Sequence, residues 1–125
     1  MSDTRPPIRG TVRRGASRGR SLGFPTANLD DVSGALPPEG VYAARAEVDG
    51  ETYAAAATVG LPPSFDDAVA RVEVHLIDYE GDLYERTLAV TFVEKVRDQA
   101  RFDSMDALKR QMADDVRKIR DILGA

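Results

Sequence analysis

Thr26 and Asn28 stand two positions apart in the stretch GFPTANL. In extended chain that spacing puts both side chains on one face. A hydroxyl and an amide carbonyl offer hard, neutral oxygens. Such atoms suit Mg²⁺, which takes few protein ligands and completes its shell with water and nucleotide phosphates. Pro25 stiffens the approach by fixing φ. The same two side chains could instead hydrogen-bond a local turn, and the stretch by itself leaves both readings open.

The segment before it is rich in glycine and arginine. Gly10, Gly15, Gly19 and Gly23 permit close backbone approach. Arg5, Arg9, Arg13, Arg14, Arg18 and Arg20 face a single nearby acid, Asp3. Exposed N–H groups in such a loop can cradle phosphate oxygens, although neither a Walker A loop nor a dinucleotide fingerprint is spelled out. A solvated basic arm leading into an ordinary hairpin loop is the alternative.

Further along, VEVHL sets Val72, Val74 and Leu76 on one face of a strand and Glu73 and His75 on the other. A carboxylate on an otherwise apolar strand is a candidate general base. An exposed strand glutamate paired with an arginine fits equally well. His75 is the only histidine, so no histidine pair exists for metal or acid–base work. No serine–histidine–aspartate order stands out, the lysines (Lys95, Lys109, Lys118) all come late, and the protein-kinase signatures are absent.

The elements that position these residues are legible in outline. The chain has 125 residues, 42% of them hydrophobic, which fits one domain over residues 1–125 with its core at about 8–123. A net charge of -4 disfavours nucleic acid as a partner, as does an aromatic content of 6%. There is no cysteine, which removes disulfides and thiolate chemistry. With no apolar run long enough for a membrane span and no signal peptide, a soluble, cytoplasmic protein is expected.

Strand signals begin at Ile8 (IRGTVRRG). Gly15 to Asn28 reads as loop. VYAARAEV and TYAAAATV flank Asp49-Gly50, a two-residue hairpin signal. In the second of these the alanines Ala54 to Ala57 favour helix intrinsically. As a strand their small side chains would admit a close neighbour. Arg71–Tyr79 and Arg86–Val93 alternate cleanly. These make five strands, with room for a short sixth in the glycine-rich region. Met105, Leu108, Met112, Val116, Ile119 and Leu123 then trace a single helix stripe, capped by Asp103 or Ser104 and ended by Gly124. The predicted class is mostly β (β-rich α+β), a small antiparallel barrel with a C-terminal helix packed on it through that stripe.

GxVxxGxxxGRxLGFPTANL, PPxGVYA, VEVHLIDYEGDLY and FDSMDALKRQMADDVRKIR together resemble the ATP-dependent riboflavin kinase family, from about Ile8 to Leu123. In many bacteria this unit is the C-terminal module of a bifunctional riboflavin kinase/FMN adenylyltransferase. The resemblance implies a six-stranded antiparallel Greek-key barrel with a C-terminal helix. It implies transfer of the ATP γ-phosphate to the ribityl 5′-hydroxyl of riboflavin, giving FMN and ADP. Thr26 and Asn28 resemble the Mg²⁺ ligands and Glu73 the catalytic base. Gly15, Arg18, Gly19, Arg20, Gly23, Pro25 and Thr26 resemble the nucleotide-binding flap. Arg97, Phe102 and Asp103 resemble the flavin side.

Departures from the family pattern fall in TVGLPPSF, where Thr58 replaces a common asparagine and Pro62 a common arginine, and at Glu85, where glycine is usual. They bear on nucleotide and flavin-analogue preference. The adenylyltransferase module is missing and Met1 reads as a native start. The expectation is therefore a stand-alone kinase, with an excised domain as the alternative and a separate FMN adenylyltransferase as a candidate partner. The competing readings are a non-catalytic flavin- or nucleotide-binding module on the same barrel and a kinase for a riboflavin analogue.

Overall fold

The computed structural model describes residues 7–13, 27–60, 71–79, 83, 85–98 and 103–124. Six strands run in the order β1 (Ile8–Arg13), β2 (Ala27–Ser33), β3 (Gly40–Val48), β4 (Glu51–Gly60), β5 (Arg71–Leu76) and β6 (Thr87–Arg97), followed by one helix, α1 (Met105–Leu123). They close into an antiparallel barrel with neighbours β1-β2-β5-β4-β3-β6. Strands β3, β4 and β5 form a meander. Strand β2 comes back beside β5 rather than β3, which is the Greek-key crossing.

The β3–β4 hairpin turns at Asp49 (φ 52°) and Gly50 (φ 84°), with Val48 opposite Glu51. Two successive positive φ values match the right-handed strand twist, and aspartate followed by glycine tolerates them. The sixth strand begins where the loop was expected to end. Ala27 and Asn28 already belong to β2, which continues through Asp30 and Asp31 to Ser33. Its polar residues obscured it, because only Ala27 and Leu29 are buried in the core, with Val32 partly buried against it.

The barrel interior is filled by alternate residues of every strand, among them Ile8, Leu29, Tyr42, Ala57, Val74, Leu88 and Phe92. Tyr42 meets Phe92 edge-on at 5.3 Å and donates its hydroxyl to Pro38 O at 2.6 Å. The first half of β3 does not alternate. Val41 and Ala43 are buried on the outer wall as well.

The cause is α1. Its Ile119 is fully buried against Ala43 and Ile77, with Ala54, Ala56, Val96, Val116, Ile122 and Leu123 packed around them. The alanines of β4 therefore divide by face. Ala55 and Ala57 line the interior, while Ala54 and Ala56 form a flat bed for the helix. Large side chains there would hold the helix off the sheet.

Two expectations need correction. Strand β5 ends at Leu76 rather than Tyr79. Ile77 stays on the outer face with Glu73 and His75 and is buried there under α1, and Asp78 takes φ 61°. Its carboxylate there accepts two bonds from Arg120, at 2.9 and 2.8 Å. Those bonds hold the Asp78 carboxyl below its usual range. The apolar stripe is also not buried along its whole length. Met105 is 47% exposed, and Leu108 and Met112 are half-buried. The packed end is the C-terminal one.

Ser104 caps α1 by accepting a bond from Ala107 N at 3.1 Å, and Gly124 (φ 69°) closes it with a bond to Arg120 O. If Ile119 is the anchor, Ile119→Ala lowers stability by roughly 2–5 kcal/mol, the cost of emptying a filled core position. Leu108→Ala costs clearly less. Denaturant midpoints of the two variants check this ordering, and equal midpoints would contradict it.

Candidate functional site

Register on the outer wall brings the chemistry together. Asn28 on β2 is the direct cross-strand partner of Glu73 on β5, and Glu73 is in turn the partner of Thr58 on β4. Their sequence neighbours Ala27, Leu29, Val72, Val74, Ala57 and Val59 are buried inside. The three polar side chains therefore share the outer face, and each is half-buried. Direct cross-strand partners have Cβ atoms about 5 Å apart. The result is a short row of amide, carboxylate and hydroxyl across three strands.

Among the described residues, none of these three side chains makes a hydrogen bond or ion pair with another. Half-buried polar groups normally find partners, so the row carries unspent hydrogen-bonding capacity. Among the described residues the Glu73 carboxylate has no arginine partner and is not on the exposed surface.

The row extends in both directions. In one, Arg13 of β1 is the Cα partner of Asn28. In the other, Thr58 pairs with Val41, and Val41 with Arg97 at the end of β6. Arg97 thus lies on the same belt, two strand spacings or about 10 Å beyond Thr58. Strand β1 ends at Arg13 and β2 starts at Ala27, so the glycine-rich segment departs and returns beside Asn28. The expected nucleotide-binding residues Gly15, Arg18, Gly19, Arg20, Gly23, Pro25 and Thr26 lie outside the described residues, as do Pro62 and Phe102. Asp103 is exposed just ahead of the Ser104 cap.

Arg97 is engaged with the helix. Its Nε donates to Asp115 Oδ1 at 2.9 Å and Nη2 to Oδ2 at 2.8 Å, and Nη1 reaches Asp98 O at 3.0 Å. Gln111 Nε2 donates to the same Asp115 Oδ1 at 3.0 Å. Asp115 is 4% exposed. A two-toothed arginine–carboxylate pair fixes direction as well as distance, so the chain leaving β6 is pinned to the middle of α1. Asp115 was not anticipated from sequence. The available signal was an acid one helical turn from Ile119, on the buried side of the stripe.

Among the described residues no group of three histidine, cysteine, aspartate or glutamate side chains could hold a metal ion. The Asn28 amide oxygen is a hard, neutral ligand, and one such group fits a hard divalent cation bound mainly through a nucleotide's phosphates, with the Glu73 carboxylate beside it.

A family model for riboflavin kinase (Flavokinase) matches residues 3–123. The chain is 40% identical over 114 residues to a bifunctional riboflavin kinase/FMN adenylyltransferase of Pseudomonas fluorescens, covering 90% of this chain but 37% of that protein. A crystal structure named as a macrolide-efflux protein from Streptococcus pneumoniae superposes with a TM-score of 0.86 at 39% identity, over 92% of this chain and 38% of that one. The name belongs to that whole protein. Among the described residues no helix is long and apolar enough to cross a membrane. A riboflavin kinase from Trypanosoma brucei shares the fold, with a TM-score of 0.64 at 24% identity over 98% of this chain and 83% of that one.

Asp115→Ala leaves the half-buried Arg97 guanidinium without its carboxylate and lowers stability by roughly 1–3 kcal/mol, and exchange of the amides flanking Arg97 accelerates. Unchanged stability and exchange would show that the pair does not hold the helix. With nearly the whole chain, residues 3–123, matched by the family model, this protein belongs to the riboflavin kinase family.

Proposed function

We propose that the chain transfers the γ-phosphate of ATP to the ribityl 5′-hydroxyl of riboflavin, giving FMN and ADP. The observation that carries this reading is the pairing of Asn28 with Glu73 on the outer wall of the family's barrel. Phosphoryl transfer asks a protein chiefly for positioning and charge stabilisation. A row of polar side chains on rigid strands, with a glycine-rich segment anchored beside it, suits that task.

In the proposed reaction Glu73 accepts the proton of the 5′-hydroxyl as its oxygen bonds to the γ-phosphorus. The bond from that phosphorus to the bridging oxygen breaks, and ADP leaves with the electron pair. Glu73 then returns its proton to solvent. Asn28, together with Thr26, would hold Mg²⁺, which when bound neutralises charge on the phosphates. The amides and arginines between Gly15 and Gly23 would close over the nucleotide. Arg97, Phe102 and Asp103 would border the flavin, with Arg97 acting through its grip on Asp115. In the bifunctional relatives the next reaction, adenylylation of FMN, is carried on the same polypeptide.

Incubation with riboflavin, ATP and Mg²⁺, followed by chromatography, tests the reading directly. FMN is expected, with much less product when CTP replaces ATP. Glu73→Gln keeps shape and removes the proton acceptor, so turnover falls roughly 10²–10⁴-fold. Flavin and nucleotide affinities change far less, because the base acts mainly in the transition state. Asn28→Ala raises the Mg²⁺ concentration needed for half-maximal rate. Riboflavin binding without FMN formation in the wild-type chain would favour the non-catalytic module instead.

A further inference from the structure

We propose that Thr58 is a positioning residue for Glu73, donating its hydroxyl to one carboxylate oxygen in the substrate complex. This rests on the reading of Glu73 as the base. Glu73 is flanked on its row by two side chains only, Asn28 on β2 and Thr58 on β4. An ionised carboxylate is purely an acceptor, with room for several donors; with the Asn28 carbonyl oxygen assigned to the metal, only the amide NH2 of that side chain is left to donate from the β2 side.

The outer face of β4 supplies one donor at that level. The residues on either side of Thr58 on this face are Ala56 and Gly60, which have no polar side-chain atoms. Thr58 is half-buried and, among the described residues, its hydroxyl is uncommitted. Catalytic hydrogen bonds are often long or poorly aligned without substrate and tighten in the complex. With one oxygen held by Thr58, the other is left to face the acceptor hydroxyl. The departure from the family pattern at this position is then part of the site.

Thr58→Val replaces the hydroxyl with a methyl and keeps the branched shape that suits a strand. The expected result is a fall in kcat of roughly tenfold, the usual worth of one hydrogen bond to a charged group, with KM for riboflavin and ATP within about twofold. Thr58→Ser restores most of the rate. In a Glu73→Gln background, Thr58→Val has little further effect, because residues acting as a unit are not additive.

Wild-type kcat in Thr58→Val, failure of Thr58→Ser to restore the rate, or the same fold-loss in the Glu73→Gln background would each overturn the inference. So would a rise in KM with kcat unchanged. Thr58→Ala read the same way covers the case in which the valine variant fails to fold. The two readings fail differently. Near-normal turnover in Glu73→Gln removes the base itself, whereas a crippled Glu73→Gln beside a normal Thr58→Val removes only the role of Thr58.

Discussion

The pairing of β2 with β5 is the constraint on which the rest of the molecule turns. It joins the first hairpin of the barrel to the β3–β4–β5 meander, and the Greek-key crossing exists only because of it. The same contact sets Asn28 opposite Glu73. Strand side chains alternate with a period of two, so a slip of one residue would turn Asn28 inward and expose Ala27 and Leu29. The apolar neighbours therefore fix the register that the polar pair needs. Core packing and site geometry are one decision made by the same short strand.

The same outer wall, further along β4 and β5, solves a different problem. One amphipathic helix cannot hide its apolar side alone, and the barrel offers it a surface paved with alanine. Ala43, Ala54 and Ala56 let α1 lie close, and Ile119 fills the space between them and Ile77. Arg97 and Asp115 then lock the end of β6 to the middle of the helix. That lock lies on the same belt as the polar row, with Val41 and Thr58 between. The helix thereby fixes the chain that leaves β6.

Much of this was readable from sequence, and the failures have definite causes. The Asp49-Gly50 hairpin was plain because that pair of residues demands one turn. Arg71 to Leu76 was plain because valine and leucine alternate with polar residues. Strand β2 was obscured because a strand with a functional outer face carries asparagine and aspartate where periodicity would look for punctuation. Leu108 and Met112 fit the helical spacing but outrun the alanine bed, so spacing overstated their burial. Asp115 was invisible because its partner arrives from β6, and local pattern does not report long-range pairing. Thr58 was visible only as a departure from the family pattern. What it stands beside is a matter of register, which the sequence does not spell.

The central claim is that nucleotide chemistry takes place at the Asn28–Glu73–Thr58 row. Adding Mn²⁺–ADP and riboflavin to the ¹⁵N-labelled chain and recording amide line broadening tests it most directly, since Mn²⁺ substitutes for Mg²⁺ at oxygen-ligand sites. The account predicts the strongest broadening at Asn28, Glu73 and Thr58. Asp49 and Gly50, roughly 25–30 Å away along β4 from Thr58, should be nearly unaffected. Broadening that peaks at that turn or along α1, with the row left sharp, would contradict it.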